Sequence, residues 1–208
     1  MKKNNNPNTI CPCCMEEHEI ISVRKKENTL FKGRSVAYEA YYTYCKIADE
    51  YYANEQQITA NDLAIKNAYR KAENLLTTDE IASIRHKYII TQSDLCTLLG
   101  WGGKTITRYE GHQVQDRAHD RILKKLDQDP EWFISLLKES KESFNDETFQ
   151  KYLQNATAIL DSISSKSAER KAYARGLADG RAEMKKLDKR IQALEAELKI
   201  AQAKIAML

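Results

Sequence analysis

The stretch that most limits what this chain can fold into is TQSDLCTLLGWGGKTITRYEG, from Thr91 to Gly111. Leu95, Leu98 and Leu99 share one face of a helix expected over Gln92 to Leu99. Gly100, Gly102 and Gly103 then interrupt, and a second short helix is expected over Lys104 to Glu110. Two packed helices joined by a tight glycine turn are the core of a helix-turn-helix, whose second helix lies in a DNA major groove. Residues i and i+4 of a helix share a face, so Lys104 and Arg108 point the same way, flanked by Thr105 and Thr107. Lys104 and Arg108 are the candidates for base edges. Thr91, Gln92, Thr105, Thr107 and His112 are the candidates for phosphate or base contacts. Tyr109 and Glu110 are expected to hold the bundle together, and Trp101 either packs or touches backbone. The plainer alternative is a helix pair that only packs.

Charge supports the DNA reading locally. The 208 residues carry a net charge of +3. Between Arg85 and Lys125 eight basic residues face four acids, a net +4, and His86, His112 and His119 lie there too. No apolar run approaches the roughly 20 residues needed to span a bilayer. MKKNNNPNTI has no apolar core, so no secretory signal is read there. With five cysteines and no export signal, free thiols or a metal site are better readings than a disulfide framework, and a cytoplasmic setting is expected.

The other segments fall into place around the central one. Residues 1–10 are polar and expected to be a disordered tail. Residues 11–58 are expected to form a small β-rich, zinc-finger-like domain. Cys11 and Cys14 have the C-x-x-C spacing that lets two thiolates reach one tetrahedral metal. Cys45 follows, but Ala48 stands where a second C-x-x-C would close. The candidate metal ligands are thus Cys11, Cys14 and Cys45, with Cys13, His18, Asp49 or a water as the fourth. Without metal, the same cysteines would be small buried hydrophobes. Strand-like alternation runs through Ile21 and Val23, a turn is expected at Lys26-Glu27-Asn28, and alternation resumes from Val36 to Tyr44. Six tyrosines lie between 38 and 52 and read either as cover for a thin sheet or as a partner-binding face.

A linking helix is expected over 59–77, capped by Thr59 with Asp62. Residues 78–137 then form the helix-turn-helix domain of five helices: one starting at a Thr78 cap, the central pair, Asp116 to Asp127, and Pro130 to Leu137. Residues 138–163 comprise a charged linker and an amphipathic helix from Glu147 to Ile163. The pattern is expected to break over Ser162–Arg170 and at Gly176 and Gly180. A coiled coil closes the chain within 164–208, where Met184, Leu187, Ile191, Leu194, Leu198, Ala201, Ile205 and Leu208 alternate at spacings of three and four. The expected fold class is therefore α+β: a small β-rich cysteine-containing domain, an all-α five-helix domain, and a coiled-coil extension.

Thr91-Gln92, Leu95, Leu98-Gly100 and Thr107 to Gly111 resemble the Cro/C1-type helix-turn-helix family. Taken with Cys11, Cys14, Phe31-Lys32-Gly33, Cys45, Gln92, Arg108-Tyr109-Glu110 and Asp129-Pro130-Glu131, residues 11 to about 137 resemble the MqsA family of type II antitoxins. The resemblance implies a zinc-binding N-terminal domain and a homodimer on palindromic promoter DNA that represses its own operon; some members neutralise a cognate toxin. Two departures stand out. Ala48 replaces the family's fourth cysteine. Lys104 stands where the family has a base-reading Asn, whereas Arg108 matches, so a more guanine-directed operator is implied.

Three functions are compatible: a dimeric antitoxin-type repressor, a stand-alone transcription regulator of a mobile element, or an interaction protein working through its N-terminal unit or coiled coil. No catalytic Ser/His/Asp set or phosphate loop is present, so no enzyme is expected. Asp116, His119 and Asp120 read as a solvated helix face.

Overall fold

The computed structural model describes residues 10–205, and their side chains through residue 196. It is α+β: a three-stranded antiparallel sheet followed by seven α-helices. The tail expected over 1–10 lies outside the described residues except for Ile10, which bridges to Glu17.

The sheet is built on one long hairpin. β1 (Ile21–Phe31) pairs antiparallel with β2 (Arg34–Cys45), and β3 (Glu50–Tyr52) pairs with the end of β2. The turn is Lys32-Gly33, with φ of 48° and 77°, not Lys26-Glu27-Asn28, which run through β1 opposite Glu39, Tyr38 and Ala37. Positive φ at both loop residues matches the twist of a two-residue hairpin. The inward Glu27 is tolerated because its carboxylate accepts bonds from the hydroxyls of Tyr38 and Tyr42, both at 3.0 Å. Burial, reinforced by that carboxylate, pushes Tyr38 up to about 12.

α1 (Glu55–Ala72) starts four residues before the expected Thr59. Asn54 and Gln57 form a reciprocal capping box, each side chain bonding the other's backbone N–H, while Thr59 Oγ donates to the Glu55 carbonyl inside the helix. The helix shields the open edge of β2. The Asn61 amide donates to the Tyr41 carbonyl and accepts from its N–H, as another strand would. Further along, Tyr69 packs edge-to-face on Phe31 at 5.3 Å.

Five helices follow as expected: α2 (Thr78–Lys87), α3 (Gln92–Leu98), α4 (Thr105–Glu110), α5 (Arg117–Gln128) and α6 (Pro130–Glu139). Thr77, not Thr78, caps α2, because its pairing with Glu80 satisfies two end groups at once. Ile81, Leu95, Ile106, Leu123, Leu126 and Leu137 are fully buried among the helices. Burial of each such side chain contributes about 1.5–3 kcal/mol. Tyr88 stacks on Phe133 at 3.9 Å and spends its hydroxyl on the Leu126 carbonyl.

The expected charged linker is shorter than 138–146, since α6 reaches Glu139 and a 3-10 turn occupies Lys141–Ser143. α7 then runs unbroken from Asp146 to Ile205, 60 residues. The break expected at Ser162–Arg170, Gly176 and Gly180 does not occur. A glycine inside a helix costs about 1 kcal/mol, and the surrounding Ala, Lys, Arg, Leu and Glu offset it. Ser165 turns its hydroxyl back to the Asp161 carbonyl. The chain packs as two units, up to Ala156 and from Thr157 onward. In the first, Phe149, Tyr152 and Ala156 of α7 are buried. In the second, Met184, Leu187, Ile191 and Leu194 are 48–67% exposed, while the side chains of Leu198, Ala201 and Ile205, and Leu208 entirely, lie outside the described residues. No described helix is long and apolar enough to cross a membrane.

Candidate metal centre and nucleic-acid interface

Residues 11–18 make a knuckle whose backbone bonds, Met15 N–H to the Cys11 carbonyl at 2.8 Å and Cys11 N–H to the Glu16 carbonyl at 3.0 Å, fold the chain back on itself. Cys45, the last residue of β2, meets it from the sheet. The donor atoms of Cys11, Cys14, His18 and Cys45 all lie within 4.8 Å of one another. Tetrahedral thiolates about 2.3 Å from a zinc ion stand about 3.8 Å apart, so the donor set fits such an ion after a small contraction. Of the four candidates for the last ligand, His18 is the one that joins the cluster. Cys13 is outside it, and Asp49 accepts a bond from the Tyr44 hydroxyl. Ala48 still contributes, because its N–H donates to Cys45 Sγ at 3.3 Å.

The imidazole is oriented for the role. His18 Nε2 is 3.4 Å from Cys45 Sγ, and Nδ1 is 2.9 Å from the Glu19 carbonyl, the outer bond that commonly aims a metal-binding histidine. Burial raises the Cys11 thiol, but the backbone N–H groups of Cys14 and Cys13, His18 and Cys45 together lower it to about 6. Burial and its sulfur neighbours push Cys14 up to about 11. Clustered thiols thus cannot all ionise unaided, a conflict that a divalent cation relieves.

The α3–α4 pair, the expected helix-turn-helix, is assembled around one carboxylate. Glu110 accepts from two of the three Arg85 guanidinium nitrogens, Nε at 2.8 Å and Nη2 at 3.1 Å, and from Gln92 Nε2 at 2.7 Å. Gln92 Oε1 in turn accepts from the Thr107 hydroxyl at 2.9 Å. One polar lattice therefore ties α2, α3 and α4, and Gln92 and Thr107 are brought together by it. The turn needs Gly100, whose φ of 66° lets the Trp101 N–H return to the Cys96 carbonyl at 2.8 Å. Trp101 packs: its ring stacks on His119 at 4.0 Å, and His119 Nδ1 lies 2.7 Å from the Tyr109 hydroxyl.

Lys104 caps α4 without a side-chain bond, and Arg108 follows one turn on; both are exposed, and neither forms an ion pair among the described residues. Arg108 Nη2 approaches Thr105 Oγ at 3.5 Å. Thr105 itself is buried, whereas Thr107 and His112 are exposed. Thr91, also exposed, caps α3 by accepting from the Asp94 N–H.

The solvated face expected of Asp116, His119 and Asp120 is half wrong. Asp116 caps α5, but His119 packs as described and Asp120 is buried, accepting from the Leu76 N–H at 2.8 Å and pairing with Lys124. Sequence reasoning also missed Arg70. It is wholly buried and donates to Gln115 Oε1, Asn67 Oδ1 and the carbonyls of Tyr109 and Gln113 at 2.7–3.0 Å. Three of these bonds hold α1 to Tyr109 of α4 and to the loop after it. No local pattern marks such a residue, since its partners lie up to 45 positions away.

No curated protein matches the chain. A family model described as the antitoxin component of bacterial toxin-antitoxin system, MqsA, matches residues 9–140. That span takes in the whole knuckle, the sheet, the linking helix and all five bundle helices, so the chain belongs to the MqsA antitoxin family.

Proposed function

We propose that the protein is a sequence-specific DNA-binding repressor of the antitoxin type, not an enzyme, which acts in the cytoplasm as a homodimer on the two-fold promoter of its own operon. The observation carrying this reading is the pair Lys104 and Arg108: exposed, without acidic partners among the described residues, and presented by a helix locked through Glu110 and Gln92. They read base edges, preferring guanine. Thr91, Gln92, Thr107 and His112 serve the phosphates, and the buried Thr105 steers Arg108. Cys11, Cys14, Cys45 and His18 hold a structural zinc ion that supplies folding energy and no chemistry. Metal analysis of the purified protein tests that.

The central test is a gel-shift titration against fragments of the protein's own promoter. Arg108→Ala should cost about 1–3 kcal/mol on the preferred site and relax its sequence preference. Equal loss on random DNA would reduce Arg108 to a phosphate contact. Failure of the intact protein to bind any promoter fragment would favour an interaction module working through the sheet or α7. The family description favours a second activity, neutralisation of a cognate toxin; co-purification with the product of a neighbouring gene distinguishes this from a stand-alone regulator.

A further inference from the structure

Beyond Thr157, α7 carries an apolar stripe that nothing among the described residues covers: Leu177, Met184, Leu187, Ile191 and Leu194 are 47–67% exposed. In heptad terms Leu177, Met184 and Ile191 occupy a positions, and Gly180, Leu187 and Leu194 occupy d positions. A stripe of this period is buried by another helix wound against it. Gly180 interrupts it with a hollow. A Cβ there would meet nothing within 4 Å, and the glycine lines a groove with Gly176, Leu177 and Met184.

We propose that the stripe pairs with the same stripe of a second copy running antiparallel, with Met184 of one chain opposite Leu187 of the other. The inference deepens the dimer reading above by assigning this pairing its direction and register. A parallel pair would set Gly180 on Gly180, leaving the hollow empty, and would stack the a-position Arg170 on its own copy. In the antiparallel register Gly180 faces Ile191 of the second copy, whose side chain enters the hollow, and Leu177 faces Leu194.

The flanking charges choose the same arrangement. Glu183 and Arg190 are at g; Arg181, Asp188 and Glu195 are at e. In a parallel pair each g faces the following e, so Glu183 meets Asp188 while Arg190 meets Glu195, and attraction is cancelled by repulsion. In an antiparallel pair g faces g and e faces e. The proposed register then joins Glu183 to Arg190 and Arg181 to Asp188, each twice by symmetry. Sliding one heptad one way sets Arg190 on Arg190 and Asp188 on Asp188; sliding the other way sets Glu183 on Glu183 and Arg181 on Arg181. Only the proposed register of these three avoids like charges on the axis.

The two-fold axis crosses between Met184 and Leu187. At 1.5 Å per residue, the Thr157 positions of the two copies lie about 85 Å apart along the seam.

Full-length Met184→Cys and Leu187→Cys variants, carrying distinguishable tags, test the proposal by oxidation and mass-spectrometric mapping of the disulfide. Co-expressed, they should cross-link position 184 to 187; expressed singly, neither should cross-link to itself through the new cysteine. Self-linking of either single variant would establish a parallel pair, and absence of any seam cross-link would remove the seam; both overturn the proposal. Arg190→Glu should lower the dimeric fraction several-fold, and restoration by Glu195→Arg would again mean a parallel pair. Affinity for an isolated half-site, read in parallel, should stay within about twofold in Arg190→Glu, so failure of the seam and failure of the DNA reading register separately.

Discussion

The cysteine knuckle and the α2–α4 helices both gather side chains from distant segments, yet they are held together in different ways. The knuckle collects three sulfurs and an imidazole within 4.8 Å, all of them electron-pair donors. As thiolates and a neutral imidazole they present only lone pairs to one another, a set that suits a cation. The α2–α4 lattice sets Arg85 against Glu110 and threads Gln92 and Thr107 into the same network, so its charges are balanced from within. The lesson is that one site has a donor set that suits an ion from outside, whereas the other balances its charges by packing. They should fail under different treatments.

The largest expected effect follows from taking the ion away. Structural zinc contributes on the order of 10 kcal/mol of apparent binding energy that is also folding energy. Chelation, or Cys45→Ser, should therefore abolish hydrogen-exchange protection across residues 11–52 while the bundle keeps the near-ultraviolet signal of stacked Tyr88 and Phe133. Simultaneous loss of both signals would break the contrast between the two sites.

Arg70→Met comes next. It removes four hydrogen bonds and leaves buried acceptors on Gln115 and Tyr109 without Arg70, at a cost of about 3 kcal/mol. Thermal unfolding should show the loss in the bundle with bound zinc unchanged. Glu110→Gln is milder. It strips the half-buried Arg85 of its carboxylate and should cost about 1–2 kcal/mol in stability, allowing for partial exposure. Under the proposed function its readout is a weaker gel shift on promoter DNA, because Gln92 and α4 lose their anchor.

The smallest effect is the pH response of the helix caps. The Thr77 backbone N–H holds the Glu80 carboxyl below its ordinary 4.5, and the His119 N–H holds Asp116 below 3.8. Both folded values are depressed, so the caps' contribution is present above these ordinary values and is lost as pH falls through the lower folded ones. Acid titration followed by circular dichroism should show no loss from these caps above about pH 5. Thr77→Ala should weaken the α2 part of the response.

Elements with a period were legible in the sequence. The two leucine-faced helices, the alternation of β2 and the apolar face of early α7 were all placed, because burial on one side of a regular backbone imprints that backbone's repeat. Errors gathered at ends and turns, where alternatives of similar local energy compete. Asn54 with Gln57 outdid Thr59 with Asp62, and Lys32-Gly33 outdid Lys26-Glu27-Asn28 because tyrosine hydroxyls from β2 satisfied Glu27. The break expected at Gly176 and Gly180 overstated a local penalty that neighbouring helix formers outweigh.

By itself the sequence determined the short helix pair α3 and α4 with its glycine turn, the C-x-x-C half of the knuckle and the heptad stripe, each written in the spacing of residues near one another. Tertiary structure alone decided that His18 stands with Cys45, that Arg70 is buried against the loop after α4, and that Gln92 is tethered to Glu110. The physical reason is the same in all three. Hydrogen-bonding and metal-binding side chains act over about 3 Å, and which of them come that close is set by how whole elements pack, a quantity no local spacing contains.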